Sequence, residues 1–174
     1  DDAQFAGDNF FDDIAAWWKR VTAGSSTPEG KIRNSFAELN SAFGETVYTK
    51  AYIDVIVSNM GEDPAKSAAT RLKENAKILA KIKADPAGMK ATVKADMEEF
   101  SYRMEAKKIL EKVNELTGNK FADKLDPDEI SNTAPLPALK TVVPVAKKII
   151  NNPMLAKLGG PTMLMTAMKT AGVL

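Results

Sequence analysis

The stretch GEDPAKSAATRLKENAKILAKIKADPAG, residues 61–88, decides how the rest of the chain is read. It begins and ends on the same punctuation, Asp63-Pro64-Ala65 and Asp85-Pro86-Ala87. An aspartate side chain accepts from the free N–H groups of a first helical turn. Proline fits the first helical position because its missing N–H has no intrahelical partner there. Each DPA unit therefore predicts a helix start rather than one copy of a repeat, since the segments that follow are unlike each other. Between the caps, Ala68, Leu72, Ala76 and Leu79 recur at helical spacing and lysines face outward, so 64–84 reads as one amphipathic helix. The second cap opens a longer helix over 86–117. Its apolar face holds Met89, Val93, Met97, Phe100 and Met104, then Val113 and Leu116 after a drift, and Gly118 is its stop.

Upstream, Ile32, Phe36, Leu39 and Phe43 predict a helix that Pro28 opens and Gly44 weakens or breaks. TVYTKAYIDVIVSNM, residues 46–60, has the β-branched and aromatic content of a strand. Tyr48, Tyr52, Val55, Ile56 and Met60 also make a helical stripe, and no partner strand appears elsewhere, so a helix is expected. Before the linker AGSSTPEG, Asp8 or Asn9 caps a first helix with Phe10, Ile14, Trp17, Trp18 and Val21 on one arc and Phe11 and Ala15 at its edge. Asp12 and Asp13 in its first turn and Lys19 and Arg20 in its last suit the helix dipole.

After Lys120 the character changes, with four prolines from Pro127 to Pro144. No long helix is expected at that density. The expectation is an all-α fold: a bundle of about four helices over 1–118, then a proline-rich basic arm over 119–174. The arm is expected to be extended, with short helices near 137–143, 145–151, 153–158 and 161–171.

Composition narrows the chemistry. The 174 residues, 44% apolar and 27% charged, suit a globular chain with a core of its own. There is no cysteine, so disulfides, thiol catalysis and thiolate metal sites are excluded. There is no histidine either, which removes the commonest general base and metal ligand and argues for a non-enzyme. A net charge of +1 argues against nucleic-acid binding. Its distribution is uneven: residues 1–60 hold nine acids and five bases, residues 61–130 fourteen of each, and residues 131–174 five lysines with no acid. No apolar run is long enough for a transmembrane helix. The start DDAQFAGD has the acidic, small-residue character that cleavage of a targeting segment leaves, so an exported or organelle-imported chain is expected, a chloroplast thylakoid being one setting. None of the ten asparagines lies in a glycosylation sequon.

The acid clusters Asp96, Glu98, Glu99 and Asp126, Asp128, Glu129 raise metal binding or acid–base catalysis, but neighbouring helical residues do not converge and the second cluster lacks a calcium-loop pattern. Ser67 beside Lys66 and Arg71 reads as helix surface, with no histidine to activate a serine. Trp17 and Trp18 could grip a sugar, a pigment or a membrane interface, yet adjacent helical positions point about 100° apart, which suits one core and one rim residue.

The basic arm carries the densest apolar feature. Met154, Leu155, Leu158, Met163, Leu164, Met165 and Met168 are accompanied by Lys147, Lys148 and Lys157. The apolar arc is too wide for one exposed helix. Methionine accommodates variable apolar shapes, and an acid-free surface suits an anionic membrane or an acidic protein groove. The expected function is a non-enzymatic interaction or linker subunit on a larger assembly, such as an energy-converting or photosynthetic membrane complex, reached through these residues. One alternative is a helical carrier of an apolar ligand, lipid or pigment, in which case that ligand is the only cofactor. Another is an exported effector or surface protein.

Overall fold

A computed structural model describes the backbone of residues 8–23 and 26–174, and the side chains of 15–22 and 26–174. The predicted cap at Asp8 or Asn9 and the side chains of Phe10, Phe11, Asp12, Asp13 and Ile14 lie outside the described residues. All regular structure among the described residues is helical, and the chain divides into two compact units, Asp1–Met97 and Glu98–Leu174.

The first unit contains α1 (Asp8–Ala23), α2 (Pro28–Phe43), α3 (Lys50–Ser58), α4 (Pro64–Ala84) and the beginning of α5 (Pro86–Leu116). The two aspartate caps form: Asp63 accepts from the Lys66 N–H at 3.1 Å and Asp85 from the Gly88 N–H at 3.0 Å. Thr27 caps α2 by accepting from Gly30 at 3.0 Å, and Gly44 ends it in a left-handed conformation, φ 77°. Helix α3 is shorter than its stripe predicts, because Asn40 holds the residues before it. The Asn40 Oδ1 accepts from the N–H groups of Val47 (3.0 Å) and Tyr48 (2.8 Å), while its Nδ2 donates to the Tyr48 carbonyl at 3.1 Å. One side chain thus satisfies the backbone of an extended segment that has no strand to pair with. Trp17, Val21, Ile32, Phe36, Leu39, Leu72, Leu79, Val93 and Met97 fill the core. Two polar residues join them: Asn75 donates from Nδ2 to Ser35 Oγ at 2.7 Å, and Ser35 donates to the Ile32 carbonyl at 2.6 Å.

The second unit contains the remainder of α5, then α6 (Pro127–Thr133), α7 (Leu136–Asn151), α8 (Pro153–Leu158) and α9 (Gly160–Thr170). Where proline density predicts an extended crossing, the described residues between 127 and 170 are almost continuously helical. The reason is position: Pro127, Pro137, Pro153 and Pro161 all sit in first turns, where proline removes no helical hydrogen bond. Only Pro144 is inside a helix, and it faces solvent, so α7 runs unbroken where two short helices were expected. Ala106, Leu110, Val113, Leu125, Leu139, Val142, Ala146, Ile149, Leu164 and Met168 form this unit's core. Gly160 is required by a close approach: a Cβ there would lie 2.6 Å from the Leu155 carbonyl oxygen and 2.9 Å from the Ile149 side chain.

Candidate functional site

The ten residues expected to meet a partner are sorted by the packing of α7, α8 and α9. Leu164 and Met168 are fully buried, one helical turn apart on the inner face of α9. Met165 is part-buried against that core, and Leu155 is part-buried on α8. Met154 and Leu158 are 69% and 78% exposed, and Met163 is 40% exposed. Met154 and Leu158 are four residues apart on α8, hence on one face. Helix α8 owes its orientation to Asn152, whose side chain accepts from the Met154 N–H at 3.2 Å, and to Ala156, which is its buried contact.

Lys148 and Lys157 are exposed. Lys147 is exposed too, and its ammonium pairs with Glu105 at 2.9 Å. Beside α8, Lys157 and Leu158 border a groove of about 270 Å³ that also receives Lys120, Phe121 and Thr162. Its lining holds two lysines and no acid. Lys120 and Phe121 were not among the residues expected from the tail. They arrive because Gly118 and Asn119, both at positive φ (65° and 62°), turn the chain back after α5. The signal available for them was only the Gly118-Asn119 stop followed by a basic–aromatic pair.

Trp17 and Trp18 do not make a two-ring clamp. Trp17 is fully buried in the first core, and Trp18 is 38% exposed, with ring centroids 6.1 Å apart at 56°. Trp18 borders a separate groove of about 440 Å³ with Lys31, Ala68 and Leu72.

The acid clusters have structural partners. Asp126 caps α6 by accepting from the Glu129 N–H at 3.2 Å, Asp128 pairs with Lys107 at 2.7 Å, and Glu99 pairs with Arg103 at 2.9 Å. Asp128 holds the Lys107 ammonium above its ordinary value. No group of three or more acidic side chains suited to a metal occurs among the described residues. No described helix is long and apolar enough to cross a membrane.

Comparison with protein families, curated proteins and solved structures yields no match to this chain.

Proposed function

We propose that the chain is a non-enzymatic interaction subunit that docks its second unit on the acidic surface of a larger protein assembly. One observation carries this reading: Met154 and Leu158 stand 69% and 78% exposed on one face of α8, in a 131–174 segment with five lysines and no acid. An exposed pair of large apolar side chains contributes little to its own fold and gains most when a partner covers it, at about 25 cal/mol per Å² of apolar surface. Lys157 and Lys120 beside it would steer an acidic partner and reject a basic one. A partner built into an energy-converting membrane complex fits the same chemistry.

The test is photo-crosslinking in a native extract from a reactive residue placed at position 158, with position 50, exposed on α3, as the control. A discrete protein adduct from 158 alone, reduced by Lys157→Glu and by raised salt, is the expected result. Equal labelling from both positions, or none, overturns the proposal. Retention of the protein on vesicles of anionic phospholipid, with no protein adduct from 158, would also overturn it and make the partner a lipid surface.

A further inference from the structure

The chain has four arginines, and three of them are neutralised within the fold. Arg20 pairs with Glu38 at 3.0 Å, Arg33 with Asp54 at 2.8 Å and Glu29 at 3.1 Å, and Arg103 with Glu99 at 2.9 Å. Arg71, on α4, has no carboxylate within pairing distance among the described residues. Its guanidinium carbon lies 5.8 Å from the centre of the Phe36 ring, and its Nε is buried with no acceptor. A part-buried guanidinium stacked on an aromatic face is held in place, yet its charge remains uncompensated. The Nη end of the fork is the part left open to an acceptor.

Arg71 lines a groove of about 360 Å³ in the first unit, between α2, α3 and α4. The floor is apolar: Ile32, only 1% exposed, with the part-buried Ile56 and Met60. The hydroxyls at its side already donate inward, Ser67 to the Met60 carbonyl and Thr70 to the Lys66 carbonyl at 3.1 Å. The side-chain donors still open to a guest are therefore the two cations, Arg71 and Lys66, and the amide of Asn59. The one acid in the lining, Glu74, is engaged by Lys77 at 3.3 Å. With Glu74 so engaged, the two cations stand over an apolar floor, which matches an anion that carries an apolar body better than bare phosphate. A guanidinium fork matches the two coplanar oxygens of a carboxylate.

We infer that this groove binds a small amphipathic carboxylate, its carboxylate on Arg71 and its apolar body on Ile32, Ile56 and Met60. The size fits, since ligand pockets begin at about 300 Å³. The site lies in the first unit and is independent of the docking surface on α8.

The experiment is a titration of the full chain with octanoate, with octanamide as its uncharged counterpart and with inorganic phosphate, followed by backbone amide NMR. Octanoate is expected to give saturable shifts among residues 56–74, with octanamide about tenfold weaker, the scale of one charge-assisted hydrogen bond, and phosphate giving no saturation. Arg71→Gln is expected to weaken octanoate by about tenfold and leave octanamide unchanged, a difference that loss of a purely structural arginine does not produce. Equal affinity for octanoate and octanamide, saturation by phosphate alone, shifts confined to other regions, or indifference of octanoate to Arg71→Gln would overturn the assignment. If Arg71→Gln unfolds the protein, the octanoate–octanamide comparison on the unaltered chain decides the question by itself.

Discussion

In the first unit, neighbouring helices are tied through their charges, whereas the last 44 residues of the second unit hold five lysines and no acid. Arg20 of α1 reaches Glu38 of α2, Arg33 of α2 reaches Asp54 of α3, and Glu45 takes both Lys90 (3.1 Å) and Lys94 (3.0 Å) of α5. Phe36, Phe43, Tyr48 and Tyr52 add a ring cluster with centroids 5.0–6.2 Å apart. The second unit has an aliphatic core in place of the ring cluster, and two charge ties, Lys107 with Asp128 and Lys147 with Glu105, both reaching α5. Of the five lysines after residue 130, Lys147 alone has an acidic partner among the described residues. The difference teaches where outward charge remains: the first unit compensates most of its own arginines, and the second presents its lysines beside exposed Met154 and Leu158.

The comparison is broken most forcefully by removing core from one side. Leu139 is fully buried in the second unit, and Leu139→Ala is expected to cost about 2–5 kcal/mol. Both tryptophans, Trp17 and Trp18, belong to the first unit, so their fluorescence reports on it alone. Amide exchange in residues 98–174 is expected to accelerate while the tryptophan transition in urea stays where it was. If both move together, the two units unfold as one body and the contrast between them has no thermodynamic content.

A smaller effect is expected at Arg103, which does within the second unit what ion pairs do in the first. Its Nη1 donates to the carbonyls of Ser131 (3.0 Å) and Ala134 (2.7 Å), fastening the end of α6, while Nε and Nη2 engage Glu99. Hydrogen bonds from a charged donor contribute about 1.5–3 kcal/mol, and Arg103→Met keeps the stem while removing them. A fall of about 2 kcal/mol in unfolding free energy is expected from urea titration followed by circular dichroism. An unchanged midpoint would mean that Ile130 and Ala134 packing and the Lys107–Asp128 pair hold α6 without Arg103.

Much of this was legible in the sequence wherever one residue type at one position carries the signal. Asp63-Pro64 and Asp85-Pro86 set the bounds of α4 and the start of α5 because capping is local. What was not legible depends on partners distant in sequence. Asn75 falls on the apolar stripe between Leu72 and Leu79, but its partner, Ser35, lies forty positions earlier and cannot be read from its neighbours. Asn40 shortens α3 from outside it. The prolines were read by their number, whereas their place in first turns decides what they do. For the candidate site, helical spacing from 162 puts Leu164, Met168 and Ala171 on one stripe with Met163 and Met165 beyond it. Helix α9 buries Leu164 and Met168 and exposes Met163. What spacing could not give is which of the apolar residues of α8 stay uncovered. Arg71 looked like ordinary helix surface, since neither Phe36 nor the lack of a carboxylate partner can be read from its neighbours.

Acid and alkali sharpen the contrast through titratable groups of the first unit, one in its core and two at its surface. Burial pushes the Tyr48 phenol up to about 12, above its ordinary value near 10. A raised folded value means that this contribution to stability is complete below about pH 10 and is lost as pH rises through about 12. Tyr48→Phe is expected to remove that alkaline loss from the tryptophan-monitored transition. On the acid side, Arg33 and Lys50 hold the Asp54 carboxyl below its ordinary value, and Lys94 and Lys90 do the same for Glu45. Lowered folded values contribute stability above the unfolded value near 4, and that contribution disappears as pH falls through the folded ones. Asp54→Asn with Glu45→Gln is expected to flatten the acid limb, most clearly at low salt, because these are surface pairs. A limb unchanged by the double substitution would show that the ties through Asp54 and Glu45 contribute nothing to the first unit's stability.

The smallest effect on folding is expected at Leu158, and there the absence of an effect is informative. Leu164, two residues into α9 from Thr162, is fully buried, and its loss to alanine belongs with Leu139 in size. Leu158 is 78% exposed at the end of α8, so Leu158→Ser is expected to change the unfolding free energy by no more than about 0.5 kcal/mol. A leucine so exposed removes little apolar area from water, and the fold gives no reason for it to be apolar. If Leu158→Ser leaves the urea transition in place and removes the protein adduct formed from an adjacent reactive position, its apolar surface serves association. If the variant instead unfolds early, Leu158 is part of the second core in solution, Met154 alone faces outward, and the docking face on α8 no longer exists.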